Sequence, residues 1–142
     1  MSSPKSLHLT ITTPERIVLE SEVSSVNVPT VDGEIGLLPD HIPLVSLLAP
    51  GELHAVTTAG EEQIMAVSGG FIEVRDNQVV ILADTAEHAH EIDEQRAEEA
   101  RQKAQQIMTE RATDDVGFAD AQAAMAKELA RLKVVRKKRK NV

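Results

Sequence analysis

The chain has 142 residues, 42% apolar and 27% charged, with a formal net charge of −8, which suits one domain or one domain with an appendage. It has no Cys, Trp or Tyr and only two Phe, at positions 71 and 118, so any core must be aliphatic, and a disulfide scaffold, a thiolate metal site and a Cys nucleophile are excluded. No apolar run approaches the roughly 20 residues a membrane span needs, and the start, MSSPKSLHLTIT, has the pattern of neither a signal nor a transit peptide, so a soluble chain that stays in the cytoplasm is expected.

From the N-terminus the pattern is that of short strands. Leu7, Leu9 and Ile11 alternate with polar residues, as do Val26 and Val28, which is the period of a half-buried strand. Further apolar pieces lie at 35–38, 44–48, 64–67, 71–74 and 79–82. Turn signals separate them: Thr13-Pro14, Asp32-Gly33, Pro39-Asp40, Pro50-Gly51, Ala59-Gly60, Gly69-Gly70 and Asp76-Asn77. Strands punctuated every 8–12 residues or so predict an antiparallel sandwich or barrel over residues 1–86. No helical stretch interrupts them, which argues against a parallel α/β sheet.

The period changes near residue 87. Glu, Ala, Gln, Arg and Lys dominate from there to Arg111, which predicts a first helix. Thr113-Asp114-Asp115 and Gly117 break the pattern and offer an Asp as N-cap. A second helix follows, with Phe118, Met125, Leu129 and Leu132 as one stripe. The expected fold is therefore α+β: an N-terminal antiparallel β-sandwich, residues 1–86, followed by a two-helix antiparallel hairpin, residues 87–142. Ala97, Ala100, Ala104, Ala119, Ala121, Ala126 and Ala130 line the helices. Ala allows close approach but buries little area, so the seam is weaker than a Leu seam, and a switch that undocks at small cost is as consistent with it as a plain appendage.

Charge is divided along the same boundary. Residues 1–86 hold 3 basic and 12 acidic side chains, while residues 134–142 hold 5 basic and none acidic. The acidic body argues against nucleic acid; the tail, VVRKKRKNV, is suited to solvent or to an acidic surface. Nothing resembles an active site. Ser68-Gly69-Gly70 lacks the frame of a nucleophile elbow, and Gly33, Gly36, Gly60 and Gly69 form no phosphate loop. His88-x-His90 with Glu87 and Glu91 supplies ligand types that zinc takes, but the segment reads as a hinge before a helix, and no metal site is expected.

Three stretches carry a resemblance. DGEIGLLPDHIPLVSLLAPGEL, residues 32–53, has a Gly-x-x-Gly turn, Pro-x-His-x-Pro-Leu and then Pro-Gly. SGGFIEVRDNQVVILADTAE, residues 68–87, has a paired-Gly strand and a Leu-Ala-Asp edge, and IDEQRA follows at 92–97. Together, and in this order, they resemble the epsilon subunit family of the bacterial F-type ATP synthase over essentially the whole chain.

That resemblance implies a non-catalytic central-stalk (rotor) subunit of a proton-translocating ATP synthase, peripheral on the cytoplasmic face of the bacterial inner membrane. The sandwich would bind the gamma subunit and touch the polar loops of the c-ring. Glu34, placed on the 32–36 turn, and His41 correspond to the contact positions. The hairpin would restrain ATP hydrolysis, with Arg136, Lys137, Lys138, Arg139 and Lys140 approaching an acidic segment of the beta subunit, beside alpha. In part of the family IDEQRA belongs to a regulatory ATP site. Carried over, Ile92 and Ala97 flank the base, while Glu87, Asp93, Arg96 and Arg131 supply polar contacts. Two positions that are Arg in the best nucleotide binders are Lys103 and Lys127 here, and Lys lacks the bidentate fork of Arg. ATP would thus be a regulatory ligand, with no cofactor required. The competing expectations are an acidic sandwich scaffold in another assembly, and an ATP-sensing module acting alone.

Overall fold

The computed structural model describes residues 5–112 and 115–140, with the side chains of 115 and 138–140 outside that set. Seven strands are followed by a 3-10 turn and two helices: β1 Leu7–Thr12, β2 Ile17–Thr30, β3 Gly33–Leu37, β4 Leu44–Leu47, β5 Gly51–Thr57, β6 Glu62–Arg75, β7 Gln78–His88, then α1 Glu94–Glu110 and α2 Asp115–Lys140.

Inward positions of β1 (Leu7, Leu9, Ile11) alternate with half-exposed ones, as a strand with one face on a core requires. They meet Val23, Val26, Val28, Leu53, Met65, Ile72 and Ile81 in one aliphatic core. Phe71 lies outside it, exposed on the surface. The tight β6–β7 turn explains itself. Asp76 and Asn77 both have positive φ, and Arg75 pairs with Gln78 across them, the geometry that a right-twisted two-residue hairpin needs and that Asp and Asn tolerate.

The strand order β1-β7-β6-β5-β2 closes on itself, because β2 also pairs with β1. β3 is added outside β2, and β4 outside the second half of β6. The sandwich is therefore a closed ladder whose open edges are two short strands, which limits edge-to-edge association. All pairings are antiparallel except β1 with β7, which run parallel.

Several expectations are corrected. Gly69-Gly70 is not a turn: the 64–67 and 71–74 pieces are one strand, and β6 runs through both glycines in unbroken register with β7. Both have positive φ, and a Cβ on Gly70 would run into the Leu82 carbonyl, so the strand bends between its β5 and β4 neighbours only because glycine stands there. β5 had no apolar run to reveal it. Residues 87–93 are not α-helical: β7 continues through His88, a 3-10 turn spans Ala89–Glu91 and Asp93 caps α1. Leu129 is not part of the buried stripe: it is exposed, while Glu128, Ala130, Leu132 and Val134 are buried. The C-terminal half of α2 packs on α1 and on β5 and β6 at once, so its buried face is wider than a single stripe. The expected cap at 113–114 lies outside the described residues.

Ala97, Ala104, Ala121 and Ala130 are buried in the hairpin, whereas Ala119 is exposed. The hairpin rests on the sandwich through α2. Val134 is fully buried over Ala66 with Ala89 and Ile92, flanked by Ile64 and Val135.

Candidate functional site

Two surfaces stand out: an apolar face on the sandwich, and the polar seam where α2 ends against it.

The apolar face is a cross-strand row. Leu47 pairs with Phe71, and Phe71 with Leu82, so their side chains share one side of the sheet. All three are about half exposed, and the Val31 N–H donates to the Leu47 carbonyl, bringing Val31 alongside. Val45, Leu38 and Ile42, all exposed, lie on the same strand or in the loop before it. Scattered exposed apolar residues are ordinary, but a contiguous row is the mark of an interaction surface. A shallow cleft lined by Thr12, Thr13, Pro14, Phe71, Leu82 and Asp84 borders it.

The sequence pointed instead to Glu34 and His41, and the structure keeps them apart. Glu34 is on strand β3, not on a turn, and pairs with Pro29. It lines a cleft of about 570 Å³ with Asn27, Glu52, His54, Lys133, Arg136 and Lys137. His41 follows the opposite end of β3. Its Nδ1–H donates to the Ile42 carbonyl at 2.7 Å. The neighbouring Asp40, at positive φ, pairs with Lys5, and its own N–H donates to Asn77 Oδ1, which ties this loop to the β6–β7 turn. The bonds to Lys5, first, and to Asn77 hold the Asp40 carboxyl below its ordinary range.

The residues implied for nucleotide are committed to local bonds. The Asp93 carboxylate accepts the Arg96 backbone N–H at 3.1 Å as an N-cap and lies 3.6 Å from the exposed Arg96 guanidinium. Ile92 is buried against Val134, and Ala97 is buried in the hairpin. Arg131 donates to Glu87 at 2.7 Å and to the buried Glu128 at 2.8 Å. Burial works against its charge, but the two carboxylates more than offset this and raise its pKa, Glu87 contributing more. Lys103 lines an open groove between the helices.

In the basic tail, Arg136 donates to Glu94 at 3.1 Å and lies 3.5 Å from Glu98, both on α1. Lys137 donates to Glu52 on β5 at 2.6 Å, and this bond raises its pKa. Lys138, Arg139 and Lys140 have side chains outside the described set. Glu52 and Glu128 were missed by the sequence reading. One sits on the strand that had no apolar run, and the other looked like a solvated helix position. Among the described residues, no three His, Asp or Glu side chains gather as a metal site.

A closed aliphatic sandwich carrying an Ala-seamed helical hairpin defines a two-part protein of the β-sandwich and helical-hairpin class. The chain belongs to the ATP synthase delta/epsilon chain family: its beta-sandwich domain profile matches residues 6–89 and its long alpha-helix domain profile residues 90–136. The ATP synthase epsilon chain of Herpetosiphon aurantiacus is 49% identical over 134 residues, 94% of this chain and 96% of that one. The epsilon chain of Chloroflexus aggregans is 48% identical, covering 90% and 91%. A chain in the cryo-EM structure of the Euglena gracilis mitochondrial ATP synthase, solved with its c-ring, superposes with a TM-score of 0.80 at 26% identity, covering 92% of this chain and 81% of that one. The protein is thus a subunit of a larger complex and not itself an enzyme.

Proposed function

We propose that the chain works in the central stalk of a proton-translocating ATP synthase, where the sandwich joins gamma to the c-ring and the hairpin restrains ATP hydrolysis. The row Val31–Leu47–Phe71–Leu82 carries this reading. It is an apolar surface left open on a sheet whose own core is already closed, and burying it requires a second protein. Gamma is the occupant we assign to it. His41, in the loop beside β4, lies on the rim of that contact, and Glu34 is assigned to the polar loops of the ring. Among the described residues no helix is long and apolar enough to cross a membrane. The attachment we assign, at the cytoplasmic face of the inner membrane, is peripheral and made through these partners.

The hairpin's role rests on its light docking and its basic end. Released, it would carry Arg136, Lys137 and the three basic residues beyond them toward an acidic segment of the beta subunit, with alpha adjacent. ATP is not required as a cofactor. Arg131 already donates from Nε and Nη1 to two carboxylates, so a nucleotide phosphate would compete with both for its charge.

The test is hydrolysis by a catalytic head lacking its epsilon subunit. Adding back the full chain should bind gamma and lower the rate. A chain ending at His90 keeps every strand and should bind without inhibiting. Phe71→Glu, at an exposed position, should weaken binding by at least about tenfold. Tight binding of Phe71→Glu would remove the apolar row from the interface, and full inhibition by the shortened chain would remove the hairpin from regulation.

A further inference from the structure

The hairpin's docking has a polar half that no resemblance assigned. Lys133 and Lys137 are one helical turn apart on α2 and face the same carboxylate: Glu52 Oε1 accepts from Lys137 Nζ at 2.6 Å, and Glu52 Oε2 lies 3.9 Å from Lys133 Nζ. Only 9% of the Glu52 side chain is exposed. On β5, Glu52 stands opposite Ala66, the residue that Val134 covers. The carboxylate therefore sits at the edge of a small apolar contact between hairpin and sandwich. Glu34 and Glu62 add negative potential at Lys137, and His54 Nε2, 3.8 Å from Glu62, shares the cleft.

The physics of this arrangement is asymmetric. A nearly enclosed carboxylate is tolerable when its charge is met and costly when it is not. With the hairpin docked, the two lysines meet it; with the hairpin away, water does. Removing the lysine charges while the helix stays docked leaves the enclosed carboxylate without its partners, and neutralising Glu52 removes the charge-assisted bond that ties Lys137 to β5, so either change favours undocking. α1 cannot substitute, since the packing on the strands is made by α2.

We propose that Glu52 is the catch that holds the hairpin on the sandwich, and that it competes for Lys133 and Lys137 with any acidic partner surface. The competition rests on the regulatory role proposed above; the catch itself does not. In the docked state Lys137 is already bonded to Glu52, so an acidic partner must first displace a carboxylate of the same chain.

The chain has no cysteine, which makes a thiol reporter simple. In full-length protein, Val134→Cys places a thiol at a fully buried docking position, and Ala104→Cys places one in the hairpin seam. Labelling by uncharged iodoacetamide then reads opening at each place. Adding Glu52→Gln should speed labelling at 134 roughly tenfold, the size of a charge-assisted bond to an enclosed group, and leave labelling at 104 unchanged. Raising salt should speed labelling at 134 in the Glu52 protein and have little effect after Glu52→Gln. The double exchange Glu52→Lys with Lys137→Glu should label more slowly at 134 than Glu52→Lys alone. Equal rates at 134 with Glu or Gln at position 52 overturn the catch. So does equal acceleration at 134 and 104, because that is hairpin unfolding rather than undocking. If the catch opens as expected but Glu52→Gln inhibits hydrolysis no more strongly than the parent chain, the competition falls and the catch stands.

Discussion

The two modules of this chain are stabilised in opposite ways. The sandwich buries Leu, Ile, Val and Met from its strands in one cluster, and its ladder closes on itself where β1 pairs with both β2 and β7. The hairpin buries mainly Ala between its helices and touches the sandwich through Val134, Val135 and a few charged groups. At about 25 cal/mol per Å² of apolar surface, the first arrangement fixes one structure and the second leaves a joint that weak forces can move. The difference teaches where to look for each role: a fixed platform presents a surface, and a loosely held arm changes state.

Substitutions can break that contrast. The largest effect is expected in the platform: Leu53→Ala empties a fully buried site and should cost about 2–5 kcal/mol in urea unfolding. Gly70→Ala should cost about 2 kcal/mol in the same measurement, because the new Cβ meets the Leu82 carbonyl at a left-handed backbone. In the arm, Val134→Ala should weaken docking by about 1–2 kcal/mol. Amide exchange at residues 130–137 should then quicken by about tenfold, with β1 and β7 unmoved. If β1 and β7 exchange faster as well, the two modules unfold together and the contrast is wrong.

The smallest effect is a pH dependence confined to the platform. Bonds that His8 donates to Glu22, first, and to Glu20 raise its pKa above the ordinary 6.5. The protonated, bonded form therefore adds stability in full below pH 6.5, and this is lost as pH rises through the higher folded-state value. The urea midpoint should fall slightly across that window and should not do so in His8→Gln.

Much of this was legible because it is local. The alternation of Leu7, Leu9 and Ile11, the Asp76-Asn77 turn and the run of helix formers from 87 to 111, though its helix starts only at Glu94, each act within a few residues. What was hidden depends on distant neighbours. β5 alternates Leu53 and Ala55 with Glu52, His54 and Val56, a pattern whose small Ala and half-buried polar residues only a sheet on both sides explains. Paired glycines ordinarily mark a turn, and only the second sheet partner of β6 shows why the strand goes through them. Glu34 and Glu52 looked like independent surface charges, since the helix end that brings them into one cleft lies more than 80 residues away, at Lys137.

The parallel pairing of β1 with β7 has a consequence for how the molecule is made. Residues 8–12 cannot find their partners at 78–82 until nearly the whole sandwich has been synthesised. Until then β1 has only β2, its antiparallel neighbour. Such long-range closure is slow relative to local pairing, and domains tend to complete in order as the chain emerges from the ribosome. The hairpin follows directly after β7, so the arm is made after the sandwich, onto a platform whose ring is already free to close.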